Sequence, residues 1–437
     1  VNHIEEEGTP SMVVVRVPQV IAAFPPHLFN SPVRRTALED LLTREMAEQI
    51  ELLATFNDGG VARRHLGVAS PEQQILPRTA LVVTEEYVEA RVYVDLGTVN
   101  GRIPAQVNHD IFFDQLPQVV NGSLIYCNLD EGLVERATDV MEDADQLRQM
   151  LTTRGLVGFA ATGSVLAREV GTDLPSLDGA RLEVPSQGTT DVDVPNARTL
   201  SGIGIPTGLT LVIGDAYSGR VELLDSLSHG IYNHTPGDGR EFVVSVPDAV
   251  RVVADSGRPV QRVDISPFVS GEHGGERYAT DFADSVASQA SSLMEAIEAG
   301  ARVLLFDEAD SAIAFLGGDA RVAGLTGSAT SITPLAARVR ELVDELGLSL
   351  VVGADAAAAS FIPVADTILK MENHTVTDIT QDAKELGLAA PVPAEPGLLT
   401  KVVEKARWIV PTSIDPSLGT SDESVEALDV SSLVFGR

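Results

Sequence analysis

The spacing of apolar and polar residues changes character near the middle of the chain. In the first third, TALEDLLTREMAEQIELLATF (36–56) repeats its apolar residues at helical spacing and predicts a helix. TALVVTEE (79–86) and VEARVYVDL (88–96) predict two strands, and EDADQLRQMLTTRGL (142–156) predicts a second helix ending at Gly155. Residues 170–198 are rich in Pro, Gly and Asp and read as a connection and candidate domain junction. Beyond them the pattern is different. LTLVIG (209–214), ARVLLFDEAD (301–310) and LSLVVGAD (348–355) are short apolar runs, with VELLDSLSHGIY (221–232) and ARVRELVDELG (337–347) between them at helical spacing. Apolar strands alternating with helices predict an α/β fold whose mostly parallel sheet is covered on both faces, with 209–213, 302–306 and 348–352 as neighbours. The segment from 386 is Pro-rich before KVVEKARWIV.

Composition narrows the class. With 437 residues, 44% of them apolar, the chain has material for two or three domains. The reading divides it into a mixed α+β region over 1–195, an α/β core over 196–387 and a short extension over 388–437. No apolar run approaches the length of about 18 residues that a membrane helix needs, and Glu5, Glu6 and Glu7 stand where a secretory signal would be basic, so the expected location is the cytoplasm. Cys127 is the single cysteine, which excludes an internal disulfide. Net charge is −32, with acids dispersed along the chain and Lys370, Lys384, Lys401 and Lys405 its only lysines. This acidic, lysine-poor balance is expected of a halophilic protein, because molar salt shortens the Debye length to about 3 Å and screens self-repulsion. It also disfavours binding to nucleic acid or an anionic membrane, unless arginines such as Arg34, Arg35, Arg63 and Arg64 gather locally.

Two stretches carry candidate chemistry. GDAYSGRV (214–221) follows a predicted strand, precedes a predicted helix, and keeps the spacing of a phosphate-binding loop, G-x-x-x-x-G-K-[ST], through Gly214 and Gly219. In such a loop backbone N–H groups cradle phosphates, a Lys reaches them and a hydroxyl binds Mg²⁺. Here those last two positions are Arg220 and Val221. A plain glycine turn between strand and helix would look the same. The second stretch, VLLFDEAD, closes a strand with Asp307 and Glu308, an order in which the Asp supports Mg²⁺ and the Glu polarises the attacking water. The two stretches in this order on parallel strands support each other. His109, His229, His234 and His273 are too irregularly spaced for a metal site and read as solvated or core histidines. SGEHGGERYATD (270–281) reads as an exposed loop.

Several blocks then resemble one family. GIGIPTGLTLVIG, GIYNHTPGDGRE, VDISPF, SQASSLMEAIEAGARVLLFDEADSA and VADTILKM, within about 75–387, are similar to the conserved blocks of the ATPases of the ABC class. The resemblance implies an ABC-type P-loop core with family-specific flanking regions, acting as a dimer with ATP and Mg²⁺ between subunits. Residue by residue it puts Gly214, Ser218, Gly219, Arg220, Val221, Ser285 and Gln289 at the nucleotide, Asp307 at the metal and Glu308 as the catalytic base.

The departures from the family pattern fall on those positions. Arg220 keeps the charge of the expected Lys but is a planar fork instead of a compact ammonium, and Val221 lacks the hydroxyl. ADSVASQ (283–289) stands where the family resembles ASGSTSQ, so Asp284 replaces a Ser and Ser285 a Gly. VARRHLGVAS (61–70) and ADAAAASF (354–361) replace two further Gly-rich segments. One reading is a pseudoenzyme: weak or absent ATP and Mg²⁺ binding, impaired or lost hydrolysis, and a scaffold or regulatory role as a homodimer or as a heterodimer with an ABC-class paralogue. A second reading is an active, atypical ATPase that uses Arg220 with Asp307 and Glu308; a nucleic-acid-binding module is the remaining alternative. In the first, Asp284 is expected to cap its helix and to approach Arg220 of the opposite subunit in place of nucleotide.

Overall fold

The computed structural model describes residues 11–56, 65–96, 105–176, 178–215, 217–271, 274–317 and 331–404, with the short strands Val425–Ala427 and Leu433–Phe435. Glu5 to Glu7, Arg63 and Arg64, His273 and residues 405–410 lie outside the described residues.

Residues 1–394 form one unit. In its first part, Ser11–Pro18 pairs antiparallel along its whole length with Tyr87–Val94, from Ser11 opposite Val94 to Pro18 opposite Tyr87. Leu81–Val83 and Leu66–Gly67 pair with the same central strand. Val13, Val17, Val88, Ala90 and Val92 from this sheet share one apolar core with Leu38, Leu42 and Met46 of the helix Pro32–Phe56. That helix starts on Pro32, whose missing N–H would have had no partner in the first turn. A second long helix, Glu131–Thr153, is capped by Asp130, whose carboxylate accepts the Leu133 N–H at 3.1 Å. Gly155 follows it with φ +68 and turns the chain into Leu156–Ala161.

An antiparallel sheet comes next, in the order Val243–Ser245, Leu156–Ala161, Arg198–Pro206, Thr190–Val194. The stretch 170–198 therefore contains a strand where its composition read as a connection. The reason is visible in TDVDV: Asp191 and Asp193 are exposed while Val192 and Val194 are buried, a period of two carried by acidic residues.

The parallel sheet runs Ala249–Arg251, Val303–Asp307, Ser349–Ala354, Leu209–Ile213, Thr367–Glu372, and is closed by Thr375–Asp378, which is antiparallel to its neighbour. The three strands expected to be neighbours are neighbours, in parallel register. Val303–Asp307 and Ser349–Ala354 are buried at every position, as strands covered on both faces must be. Helix Arg220–His229 covers one face through Leu223, Leu224 and Leu227, which share a core with Val212, Leu305 and Val351 and with Phe159 and Ile203 of the antiparallel sheet. The run 337–347 is helical only in pieces, a 3₁₀ turn at Leu335–Ala337 and a wide turn at Glu341–Glu345, with Arg338 donating to Pro267 O and Glu341, both at 2.6 Å.

Residues 395–437 form the other unit, with helix Leu398–Val403 and Val425–Ala427 paired antiparallel to Leu433–Phe435.

Candidate nucleotide site

Strands that run parallel end at one edge of the sheet, so the Gly214–Gly219 loop and the acids at the end of Val303–Asp307 emerge at the same edge, on either side of Ser349–Ala354. Their contact is direct. Arg220, the first residue of the helix after the loop, donates from Nη1 to Asp307 Oδ1 at 2.6 Å and from Nε back to Gly214 O at 3.0 Å. Both side chains are buried, 5% and 0% exposed, so this ion pair is screened little by solvent. Asp307 Oδ1 also accepts the Ala309 N–H at 2.8 Å. Its Oδ2 is buried and, among the described residues, has no hydrogen-bond partner.

Gly353, near the carboxyl end of the intervening strand Ser349–Ala354, makes room for the guanidinium. A Cβ there would lie 2.8 Å from Arg220 Nη1 and 3.0 Å from Leu224 Cδ2. A glycine in a buried strand marks a close approach, and here the approaching group is the arginine head.

Part of the loop's donor set is satisfied within it. Asp215 accepts the Tyr217 N–H on Oδ1 at 2.9 Å, and its carbonyl accepts the Ser218 N–H at 3.3 Å and the Ser218 hydroxyl at 2.7 Å. Ser218 Oγ in turn accepts the Arg220 N–H at 3.3 Å. Gly219, with φ +95, is the left-handed residue that lets the loop enter the helix.

Glu308 is half-buried and turned toward the next strand's exit: it accepts the N–H groups of Asp355 at 2.7 Å, Ala356 at 3.2 Å and Ala357 at 3.1 Å. Three backbone donors on one carboxylate anchor the segment after Ser349–Ala354. Nearby, Asp310 meets Arg251 at 2.7 Å; burial raises its carboxyl above the ordinary range and the Arg251 charge offsets part of that.

The other residues expected at the nucleotide sit around this centre. Gln289 is buried, donates to Ser311 Oγ at 2.8 Å and accepts the Ala312 N–H at 2.9 Å, tying its helix to the segment that comes after Glu308. Ser285 begins that helix, Ser285–Glu298, and Asp284 caps it through the N–H groups of Val286 and Ala287 at 2.9 and 3.0 Å. Val221 is half-buried in the first turn after the loop. Within this chain Arg220, 4% exposed, is engaged by Gly214 and Asp307, so the expected meeting with Asp284 of an opposite subunit would require it to leave that pairing.

The block GIYNHTPGDGRE is a buried polar network. His234 lies 2.9 Å from Asp238, which also takes Arg168 at 2.7 Å, while Arg240 meets Asp225 at 2.9 Å and the carbonyl of Leu166. His234 is a core histidine, 2% exposed. His109, Asp110 and Asp114 bring ligand atoms within 4.8 Å of one another on the surface, an arrangement exposed acids adopt without an ion.

Sequence reading missed Gly353, the three amides that hold Glu308, and the turn at Asn373 and His374 behind the loop. A glycine inside the apolar run LSLVVGAD was the one available signal, and it marked the guanidinium slot.

The ABC_ATPase family model, described as a P-loop domain, matches residues 130–401, and the model for the N-terminal region of ATPases of the ABC class matches residues 8–127. An uncharacterized protein of Methanocaldococcus jannaschii is 24% identical over 272 residues, 58% of this chain and 59% of its own length. A solved structure of cbiO1 from Clostridium perfringens, part of an ABC transporter complex, shares 12% identity and covers 53% of this chain and 91% of its own. Its TM-score is 0.31, too low for that likeness to carry weight.

Proposed function

The chain belongs to the ABC class of P-loop ATPases, and from that premise we propose that its nucleotide loop has become a closed structural element, with ATP hydrolysis impaired or lost and a scaffold or regulatory role carried out as a dimer. The observation that carries the proposal is the buried Arg220–Asp307 pair at 2.6 Å.

The family as a whole implies nucleotide and Mg²⁺, so the site is weighed against what they need: free loop amides, a cation for phosphate, a hydroxyl for the metal and a carboxylate for its water shell. The amides of Tyr217, Ser218 and Arg220 donate within the loop, Arg220 is turned to Asp307, and Val221 has no hydroxyl. Among these described residues, the partnerless Asp307 Oδ2 matches the requirement. Arranged in this way, the residues do not fit a Mg²⁺–nucleotide complex. Each preorganised charge-stabilising contact is worth about 10² to 10³ in rate, and at least two are replaced here. Glu308, engaged by three amides, would have to leave them before serving as a base.

The second reading, an active atypical ATPase using Arg220, Asp307 and Glu308, draws on that same free Oδ2. A nucleic-acid module has less support, given the net charge of −32.

A titration with labelled ATP and ADP at high KCl with Mg²⁺, with phosphate release measured afterwards, separates the readings. The expected result is weak or undetectable binding and no Mg²⁺-dependent release. Turnover of about 1 s⁻¹, abolished by Glu308→Gln, would establish the active reading instead.

A further inference from the structure

The two glycines of the loop are explained by what packs behind them. A Cβ on Gly219 would lie 2.6 Å from His374 Nδ1 and 3.0 Å from Met371 Cε; one on Gly214 would lie 2.9 Å from Met371 O and press on Ser218 Oγ. All but the last of these neighbours belong to one hairpin, in which Thr367–Glu372 returns as Thr375–Asp378 with Glu372 opposite Thr375. The hairpin is also hydrogen-bonded to the loop, since the His374 N–H donates to Ser218 O at 2.8 Å. Carbonyls of a phosphate-binding loop point away from the cradle its amides form, so this bond holds the loop from behind.

The turn that makes the contact is costly for the residues in it. Asn373 has φ +49 and His374 φ +61, the two left-handed residues of a two-residue hairpin turn. Asn suits the first position, and the second favours glycine, as a β-carbon there is strained. This chain puts an imidazole at that second position and lays it on Gly219, with Nδ1 buried and, among the described residues, without a hydrogen-bond partner. Neither hairpin formation nor polar satisfaction calls for His374. Contact with the loop does. The turn is braced on its other side, where the Glu183 N–H donates to His374 O at 2.9 Å and the Val376 N–H donates to Glu183 O at 2.9 Å.

We propose that the Met371–Thr375 hairpin is an autoinhibitory clamp on the nucleotide loop, with His374 as its positioning residue. The clamp rests on the closed-loop reading of the site and deepens it. Arg220 and Asp307 close the loop from the sheet side, and His374 prevents Ser218 and Gly219 from moving outward to open it. The glycine spacing survives in a loop that ends in Arg220 and Val221 instead of Lys and a hydroxyl residue because the clamp leaves no room for a β-carbon at either end.

The test uses the full chain in high KCl and three variants, His374→Gly, His374→Asn and Arg220→Ala. Hydrogen exchange of the segment 214–221, ATP affinity and thermal stability are read for each. His374→Gly keeps the hairpin in its preferred Asn-Gly form, so stability should hold while exchange of the loop amides and ATP affinity each rise about tenfold. His374→Asn tolerates the left-handed backbone and should give the same result. If both variants leave exchange and affinity at parental values, or if both unfold, the clamp is wrong. If Arg220→Ala alone raises them, the closed loop stands without the clamp. Tight Mg²⁺–ATP binding by the parent overturns both.

Discussion

Arg220 and Asp307, 87 residues apart in sequence, meet at 2.6 Å across the carboxyl end of the strand Ser349–Ala354. In a working site each would face a ligand, the cation a phosphate and the carboxylate the metal's water shell. Facing each other they satisfy most of what burial demands of two charges. The pair therefore belongs to the stability of the core as much as to its chemistry.

Breaking the pair from one side leaves a buried charge uncompensated. Arg220→Ala or Asp307→Ala should each lower unfolding free energy by about 3–5 kcal/mol, whereas Arg220→Met with Asp307→Leu should lower it much less. Urea unfolding of the three variants at fixed KCl measures this. A loss in the double variant equal to the sum of the two single losses would mean the two charges do not act as a pair.

Gly353→Ala puts a methyl group 2.8 Å from Arg220 Nη1. Overpacking of this kind costs about 1–3 kcal/mol. The loss should shrink when Arg220→Ala is present, because the group being crowded is gone. A full-sized loss in the Arg220→Ala background would show that Leu224, not the guanidinium, is what the glycine accommodates.

Asp284 tests whether an altered position has taken up a structural task. Its carboxylate accepts two amides at the start of Ser285–Glu298, so Asp284→Ala should cost about 1 kcal/mol and Asp284→Ser much less. Equal stability of Ala and Ser variants in thermal unfolding would remove the capping role.

The parallel sheet was legible because its strands are short apolar runs buried on both faces, and a pattern of that kind survives in sequence. The proximity of the loop to Asp307 came from topology alone. What Arg220 touches did not, since a long side chain at a loop exit has several acids within reach and sequence ranks none of them. Asp284 as a cap was legible, being local. The strand Thr190–Val194 was hidden by its aspartates, whose composition suggested a loop while their alternation with valine was strand-like. His374 was invisible for a different reason: its meaning lies in a left-handed backbone angle and a glycine far away in sequence.

A net charge of −32 with few lysines should make stability depend on salt. Melting temperature should rise steadily as KCl goes from about 0.1 M to the molar range, where the Debye length falls from about 10 Å to about 3 Å and repulsion between surface acids is screened. Thermal unfolding across that series is the measurement. A melting temperature that is flat or falling with salt would count against a halophilic origin for the composition.

Asp238 should tie stability to acid. Burial acts to raise its carboxyl, but His234 at 2.9 Å and the Arg168 guanidinium at 2.7 Å outweigh it, and its pKa is held below the ordinary value of 3.8. A carboxylate held lower in the folded state binds its proton more readily when unfolded. Its contribution to stability is therefore complete above the ordinary value and is lost as pH falls through the folded one. Asp40 and Glu39 run the opposite way, because burial raises both and their destabilising effect fades as they protonate. The whole-chain pH profile mixes these signs, so the difference between parent and Asp238→Asn is the informative quantity. That difference should be constant from neutral pH down to the ordinary aspartate range and then narrow as pH drops further, because only the parent loses a charged partner for Arg168 and His234. Urea unfolding of both proteins at a series of pH values reads it directly. A gap that keeps its size through the acid range would mean that Asp238 contributes by shape and hydrogen bonding alone, with no part played by its charge.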